Sequence, residues 1–123
     1  MSTVVTGVDF VSLGTEDFER ACAFYGDVLG LPQTARYGSM PGAEYETGNL
    51  TIAVVESAAF GMTFAPIKAP LAFQVDDVAA ARAELEARGV QFLDAIDSGV
   101  CHMAPFHDPD GNMLMLHHRY APR

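Results

Sequence analysis

The side chains best suited to chemistry in this sequence are four histidines, His102, His107, His117 and His118, and one glutamate, Glu56, which closes the apolar run LTIAVV at 50–55. Imidazole titrates near neutral pH and ligates several transition metals. His117 follows a second apolar run, Met113 to Leu116, inside the stretch FHDPDGNMLMLHH at 106–118. In an apolar pocket, burial can bring the pKa of either His117 or Glu56 near neutrality, so these two are the candidates for moving a proton. The alternative use of the imidazoles is a metal set made from His102, His107 and His117 or His118, which calls for a divalent transition ion. Cys22 and Cys101 lie far apart and form no CxxC pair. They fit free thiols in a reducing compartment better than a disulfide framework.

Composition bounds what can hold these groups. A chain of 123 residues has room for one domain with a real core. Half of it is hydrophobic and only 19% is charged, which predicts a packed fold rather than a disordered chain. No apolar run approaches the ~20 residues of a membrane span, and the first residues lack the basic start and long apolar stretch of a secretory signal. A cytoplasmic protein with no membrane partner is expected. The net charge is −9, with Lys68 the single lysine beside six arginines, so the basic patch that a nucleic acid requires is missing. An acidic field of this kind favours cationic ligands.

The elements that must position the chemistry repeat once. VTGVDFVSL at 5–13 alternates as a strand, and Thr15, Glu16 and Asp17 supply a helix cap with an acidic first turn. Phe18, Ala21, Tyr25 and Val28 fall on one helical stripe, which Gly30 and Pro32 end. Strands follow near 33–37 and 43–46, then at 50–56. After a linker the order restarts: LAFQV alternates, Asp76 and Asp77 cap, and VAAARAELEARG is a helix stopped by Gly89. Its stripe Val78, Ala81, Leu85 lies 60 residues after Phe18, Ala21, Tyr25, while Gly111-Asn112 follows Gly48-Asn49 by 63. Strands near 90–94, 101–106 and 113–119 complete the second unit. The spacing predicts one α+β domain built of two βαβββ modules, about 4–56 and 70–119 joined by a linker at 57–69, with one curved mixed sheet around a cavity and helices on its outer face. Val11, Leu13, Leu71 and Phe73 then pack under the helices. Their neighbours Phe10, Ser12, Pro70, Ala72 and Gln74 point the other way.

Three stretches, DFERACAFYGDVLGLP at 17–32, PLAFQVDDVAAARAELEARGV at 70–90 and FHDPDGNMLML at 106–116, resemble the vicinal oxygen chelate superfamily of glyoxalases, bleomycin-resistance proteins and extradiol dioxygenases. The resemblance covers nearly the whole chain and is specific for the superfamily, not for one activity. It implies His or Glu ligands at four inward positions, on the first and last strand of each module. Carried onto this chain, those positions hold Phe10, Pro70, Met115 and, 63 residues before Met115, Ile52. None is a ligand for the hard divalent ions such enzymes use. On this mapping the metal site is absent and no cofactor is expected.

With Met115 taken as inward, alternation turns Met113 and His117 inward too, and the same parity makes Leu50, Ile52, Val54 and Glu56 inward in module one. The expected pocket is lined by Phe10, Ile52, Val54, Ala72, Met113 and Met115, besides Leu50 and Pro70. Its polar contacts are Ser12, Glu56, Gln74 and His117, with His102 a further contact whose facing the sequence leaves open. Such a concavity suits a small molecule. The functional expectation is a metal-independent binder of the bleomycin-resistance type that sequesters an aromatic or cationic compound in a homodimer, with modules exchanged or not. The alternatives are a metal-dependent lyase, isomerase or oxygenase, and a metal-free acid/base enzyme using His117 or Glu56.

Overall fold

The computed structural model describes residues 3–123. Module one runs β1 (Val11–Thr15), α1 (Phe18–Cys22) continued by a π-helical stretch (Ala23–Val28), β2 (Gln33–Arg36), β3 (Gly42–Glu46) and β4 (Thr51–Glu56). A 3₁₀ turn (Ser57–Phe60) opens the linker. Module two runs β5 (Leu71–Gln74), α2 (Val78–Ala87), β6 (Ile96–Asp97), β7 (Cys101–His107) and β8 (Met113–Arg119). Local chemistry repeats with the topology. The Asp17 carboxylate accepts from the Arg20 amide at 3.2 Å and the Asp77 carboxylate from the Ala80 amide at 3.0 Å, so each helix starts on an aspartate cap. Each helical run is followed by a glycine in the left-handed region, Gly30 at φ 76° and Gly89 at φ 95°.

The strands form two four-stranded sheets, ordered β1-β4-β3-β2 and β5-β8-β7-β6. In each, the first and last strands pair in parallel and the others antiparallel. Among the described residues hydrogen-bonded ladders stop at the module boundary, so the sheet comes in two parts. Leu13 pairs with Val54, and Phe73 with Leu116. The modules therefore correspond at an offset of 60 in their first strands and 62 in their last, not 63. The reason lies in the turns: β8 begins one residue after Asn112, whereas Leu50 intervenes between Asn49 and β4. A one-residue change in register turns every side chain of a strand to the other face.

That slip decides the core. Leu13, Thr15, Ala43, Tyr45, Ile52 and Val54 are at most 1% exposed, on the helix side of the first sheet beneath Phe18, Ala21 and Tyr25. Ala104, Phe106, Leu114 and Leu116 do the same beneath Val78 and Leu85, and all belong to one continuous cluster. The π-helical stretch lets adjacent residues, Phe24 and Tyr25, both reach it: Phe24 meets Phe106 at 6.5 Å between ring centroids, and Tyr25 meets Tyr45 at 6.2 Å. Two sequence expectations are corrected here. Residues 90–94 make a single bridge, Phe92 to Phe106, instead of a strand, and the edge of the sheet is the two-residue β6 further on. Residues 3–10 join no ladder, so β1 starts only at Val11.

The turn between β7 and β8 fastens the modules together. Asp108 is 5% exposed, and its carboxylate accepts from the Tyr25 hydroxyl at 2.6 Å and from the Asn112 amide and side chain at 2.8 Å each. Asn112 is fully buried; it donates to the Gly14 carbonyl at 2.9 Å and accepts from the Ile67 amide at 2.9 Å. Replacing Asn112 by Ala leaves these buried groups unpaired and is expected to cost about 2–3 kcal/mol of unfolding free energy, read from urea melts. Burial, reinforced by Asp108, holds the Tyr25 phenol above the usual range, so the folded chain keeps a proton that the unfolded chain releases above about pH 10. Because the folded state then binds more protons, stability falls as pH rises beyond that point, by up to about 1.4 kcal/mol per pH unit for this phenol. Urea midpoints measured between about pH 8 and pH 11 should show the fall, and Tyr25→Phe should make it shallower.

Candidate functional site

With the cores assigned, the opposite faces of the two sheets become the candidate site. On the second sheet that face carries Ala72 and Gln74 from β5, Met103, Pro105 and His107 from β7, and Met113, Met115 and His117 from β8, as their registers require. The methionines and His117 are half-buried. On the first sheet it carries Ser12, Gly14, Gly42, Glu44, Thr51, Ala53 and Val55. This first face is partly filled by the chain itself. A Cβ on Gly42 would lie 2.4 Å from the Tyr37 ring and 3.3 Å from Phe60, and one on Gly14 would lie 2.5 Å from the Ser57 hydroxyl and 3.5 Å from Phe64. Glycine at both positions lets Tyr37 and the linker lie flat on the strands. Tyr37 and Phe60 meet edge to face at 6.4 Å, and the Tyr37 hydroxyl donates to Glu44 Oε2 at 2.6 Å. Desolvation and that carboxylate push the Tyr37 phenol up to about 12.

The expected site residues divide between faces. Ala72, Gln74, Met113, Met115 and His117 share the helix-free face of the second sheet, and Ser12 lies on the corresponding face of the first. Ile52 and Val54 turn to the helix side of the first sheet instead, 0% and 1% exposed in that core, because of the extra residue before β4. Glu56 shares their side, where its carboxylate accepts from the Phe18 amide at 3.2 Å at the start of α1. A carboxylate at a helix N-terminus stabilises the helix, so this side chain is committed to structure. Phe10 is 53% exposed ahead of β1.

His102 pairs with His118 across β7 and β8, on the face opposite His117. There its ring stacks on Tyr120 at 4.6 Å and its Nε2 lies 3.5 Å from Asp97, while His118 Nδ1 is 3.1 Å from the Val75 carbonyl. His102 and His118 thus lie on one side of the sheet and His107 and His117 on the other. They cannot assemble as one metal set, and among the described residues no three His, Cys, Asp or Glu side chains converge.

A cleft of about 590 Å³ wraps the free edge of β5 and reaches both faces of that strand. Ile52, Ala72, Gln74 and His117 all border it, with Leu50, Leu71 and Phe73 among its apolar walls and Arg88 and Glu84 at the α2 side. The sequence alone did not place Glu44, Phe60, Phe64 or Met103 at a site, and it named His107 only within the alternative metal set. Met103 and His107 were readable in principle by counting back through the hairpin from Met113, had the turn pairing been known. Phe60 and Phe64 carry no such signal, since they lie outside any strand.

The resemblance-implied metal positions can be tested on this geometry. Register makes Ala53, not Ile52, the counterpart of Met115, because Ser12 pairs with Ala53 as Ala72 pairs with Met115. The four positions then hold Phe10, Ala53, Pro70 and Met115, and this donor set does not fit a hard divalent ion.

Two helix-backed sheets of this topology define the paired βαβββ class. The description of the family model that matches residues 7–116 is Glyoxalase/Bleomycin resistance protein/Dioxygenase superfamily. The chain belongs to that superfamily. Among solved structures, a glyoxalase family protein from Bacillus anthracis superposes with a TM-score of 0.82 at 23% identity, covering 97% of this chain and 99% of that one. TnmS3, an antibiotic binding protein from Streptomyces sp. CB03234, gives 0.78 at 24% identity over 94% and 97%. A lactoylglutathione lyase from Agrobacterium tumefaciens gives 0.78 at 18% identity over 92% and 93%. Similarity at this level establishes the fold alone. A search of curated proteins returned no match.

The division of roles is open to direct test. Glu56→Ala should lower unfolding stability by about 0.5–2 kcal/mol through the lost contact with the Phe18 amide. The same variant should leave binding at the second-sheet face unchanged, measured by titration calorimetry.

Proposed function

We propose that this chain is a metal-independent small-molecule-binding protein of the bleomycin-resistance type, taking an aromatic or cationic compound as a homodimer. The observation that supports it most is the chemistry of the second-sheet face. Where the resemblance implies ligands for a hard ion, the face presents Met115 beside Ala72, with Gln74 and His117 as the polar contacts. A mostly apolar concavity with a few convergent polar groups is the usual make-up of a small-molecule site. The aromatic pair Tyr37–Phe60, bordered by Glu44, supports a flat or cationic ligand, since ring faces and a carboxylate attract positive charge. The net charge of −9 adds long-range attraction. An antibiotic binding protein among the structural neighbours fits the same reading.

Dimerisation is supported by what a single chain leaves without a partner. Among the described residues β1 and β5 each pair on one side only, and the segment before β1 exposes Val4, Val5, Val8 and Phe10 at 53–91%. Open strand edges and apolar segments of this kind promote association. A second reading, acid/base catalysis, rests on His117 alone, since Glu56 is engaged at the α1 N-terminus.

Untagged protein should run as a dimer in sedimentation velocity and should gain no thermal stability from manganese, nickel or zinc. Ethidium, a planar aromatic cation, should stabilise it more than neutral phenanthridine does. Met115→Lys should weaken ethidium at least about tenfold, equivalent to about 1.4 kcal/mol. Stoichiometric divalent metal that stabilises the chain, or ethidium binding indifferent to Met115→Lys, would refute the reading.

A further inference from the structure

Met115 is one of several soft donors gathered on one face. The β7–β8 ladder sets Met103 opposite His117, Pro105 opposite Met115 and His107 opposite Met113. Three thioethers and two imidazoles therefore share one side of a two-strand ribbon, where Met103, Met113, Met115 and His117 are half-buried. Directly opposed residues of an antiparallel pair hold their Cβ atoms about 4.5–5.5 Å apart, and diagonal neighbours lie about 7–8 Å apart. Methionine is unbranched and flexible, so the sulfurs of Met103 and Met115 can close on the ring of the intervening His117. Cys101 lies in the next row of the same face, opposite Arg119, whose guanidinium meets Cys101 Sγ at 4.0 Å and donates to the Pro122 carbonyl at 3.0 Å. That row is closed by a cation, which leaves Cys101 out, and the donors adjoining His117 are Met103 directly opposite and Met115 two residues before it on β8, while Met113 and His107 lie one row further away. Thioether ligands are ill-suited to hard divalent ions and select copper(I).

We propose that the helix-free face of the second sheet binds one copper(I) ion per chain through the thioethers of Met103 and Met115 and the imidazole of His117. The mismatch between this face and a hard-ion site then has a chemical sense: the donors have changed class. The inference stands independently of the organic ligand proposed above, because a soft ion held by two sulfurs and a nitrogen needs no aromatic compound to be present.

The test is an anaerobic titration of untagged full-length protein with copper(I) in competition with bathocuproine disulfonate. Wild type should withdraw about one equivalent per chain. Met103→Leu, Met115→Leu and His117→Gln should each weaken binding at least about tenfold, and the double Met→Leu variant at least about a hundredfold, each tenfold being about 1.4 kcal/mol. Met40→Leu and Met62→Leu, outside the proposed set, should change nothing. Leucine nearly conserves the volume of methionine, and melting curves of each variant check that the fold survives. Silver(I) gives a second readout free of redox chemistry: it should raise the melting temperature of wild type and not of the double variant. The proposal is overturned if wild type withdraws no copper, if the double variant holds it as tightly as wild type, or if binding vanishes on Cys22→Ser or Cys101→Ala alone. An ethidium titration of the same variants, run without metal, reports separately on the organic ligand.

Discussion

The buried turn Asp108–Asn112 is the constraint from which the rest of the molecule takes its geometry. Its two ends bond to module one through Tyr25 and Gly14 and to the linker through Ile67, and its middle bonds to module one again through Asp110. The Asp110 side chain, 1% exposed, accepts from the Thr15 hydroxyl, from the Glu16 amide at 2.9 Å and from Arg20 at 3.1 Å. A buried carboxylate is costly unless its oxygens are well satisfied, and both of these are. Because β8 begins directly after the turn, whatever fixes Asn112 also fixes which residues of MLMLHHR face the core. The bolt between modules and the facing of Met113, Met115 and His117 are thus one feature.

This explains why the facing of β5 and β8 was legible in the sequence and that of the last strand of module one was not. Ala72, Gln74, Met113, Met115 and His117 follow from strand alternation once the resemblance sets Met115 inward, and β8 starts directly after the turn with no slack to reverse it. The repeat made Gly48-Asn49 look like the same turn, yet Leu50 is an additional residue before β4, and Ile52, Val54 and Glu56 went to the helix side. Alternation is a parity argument, so one inserted residue reverses all of it. Nothing in the hydrophobicity of LTIAVVE reveals the error, because Ala53 and Val55 are also buried, at 2% and 7%, beneath residues from elsewhere in the chain. The helices were easier: aspartate caps and terminal glycines are local signals that do not depend on counting.

The two sheets are related by repetition and yet offer different surfaces. Phe60, Phe64 and Tyr37 lie across the first sheet over Gly42 and Gly14, whereas the equivalent face of the second sheet shows methionine and histidine. The repeat supplies the strands, and the linker supplies the asymmetry. A linker of Ser, Ala, Gly and Pro reads as a spacer, but its two phenylalanines have apolar area to bury and the adjacent glycines leave room for it.

Asymmetry has a thermodynamic consequence for any ligand. A molecule approaching the first sheet meets rings already packed on one another, so its gain is limited to surface those rings leave exposed. On the second sheet the methionines are flexible and polarisable, and they can repack around different shapes without breaking a polar network. His117 and Gln74 stand at the border of that surface and of the cleft along β5, where a bound group can exchange water for a hydrogen bond. Recognition on this face therefore depends on soft contact and a small number of directional groups. The same physical character suits an adaptable organic site and a thioether-lined ion site, and it is unlike the rigid oxygen cage that a hard cation requires.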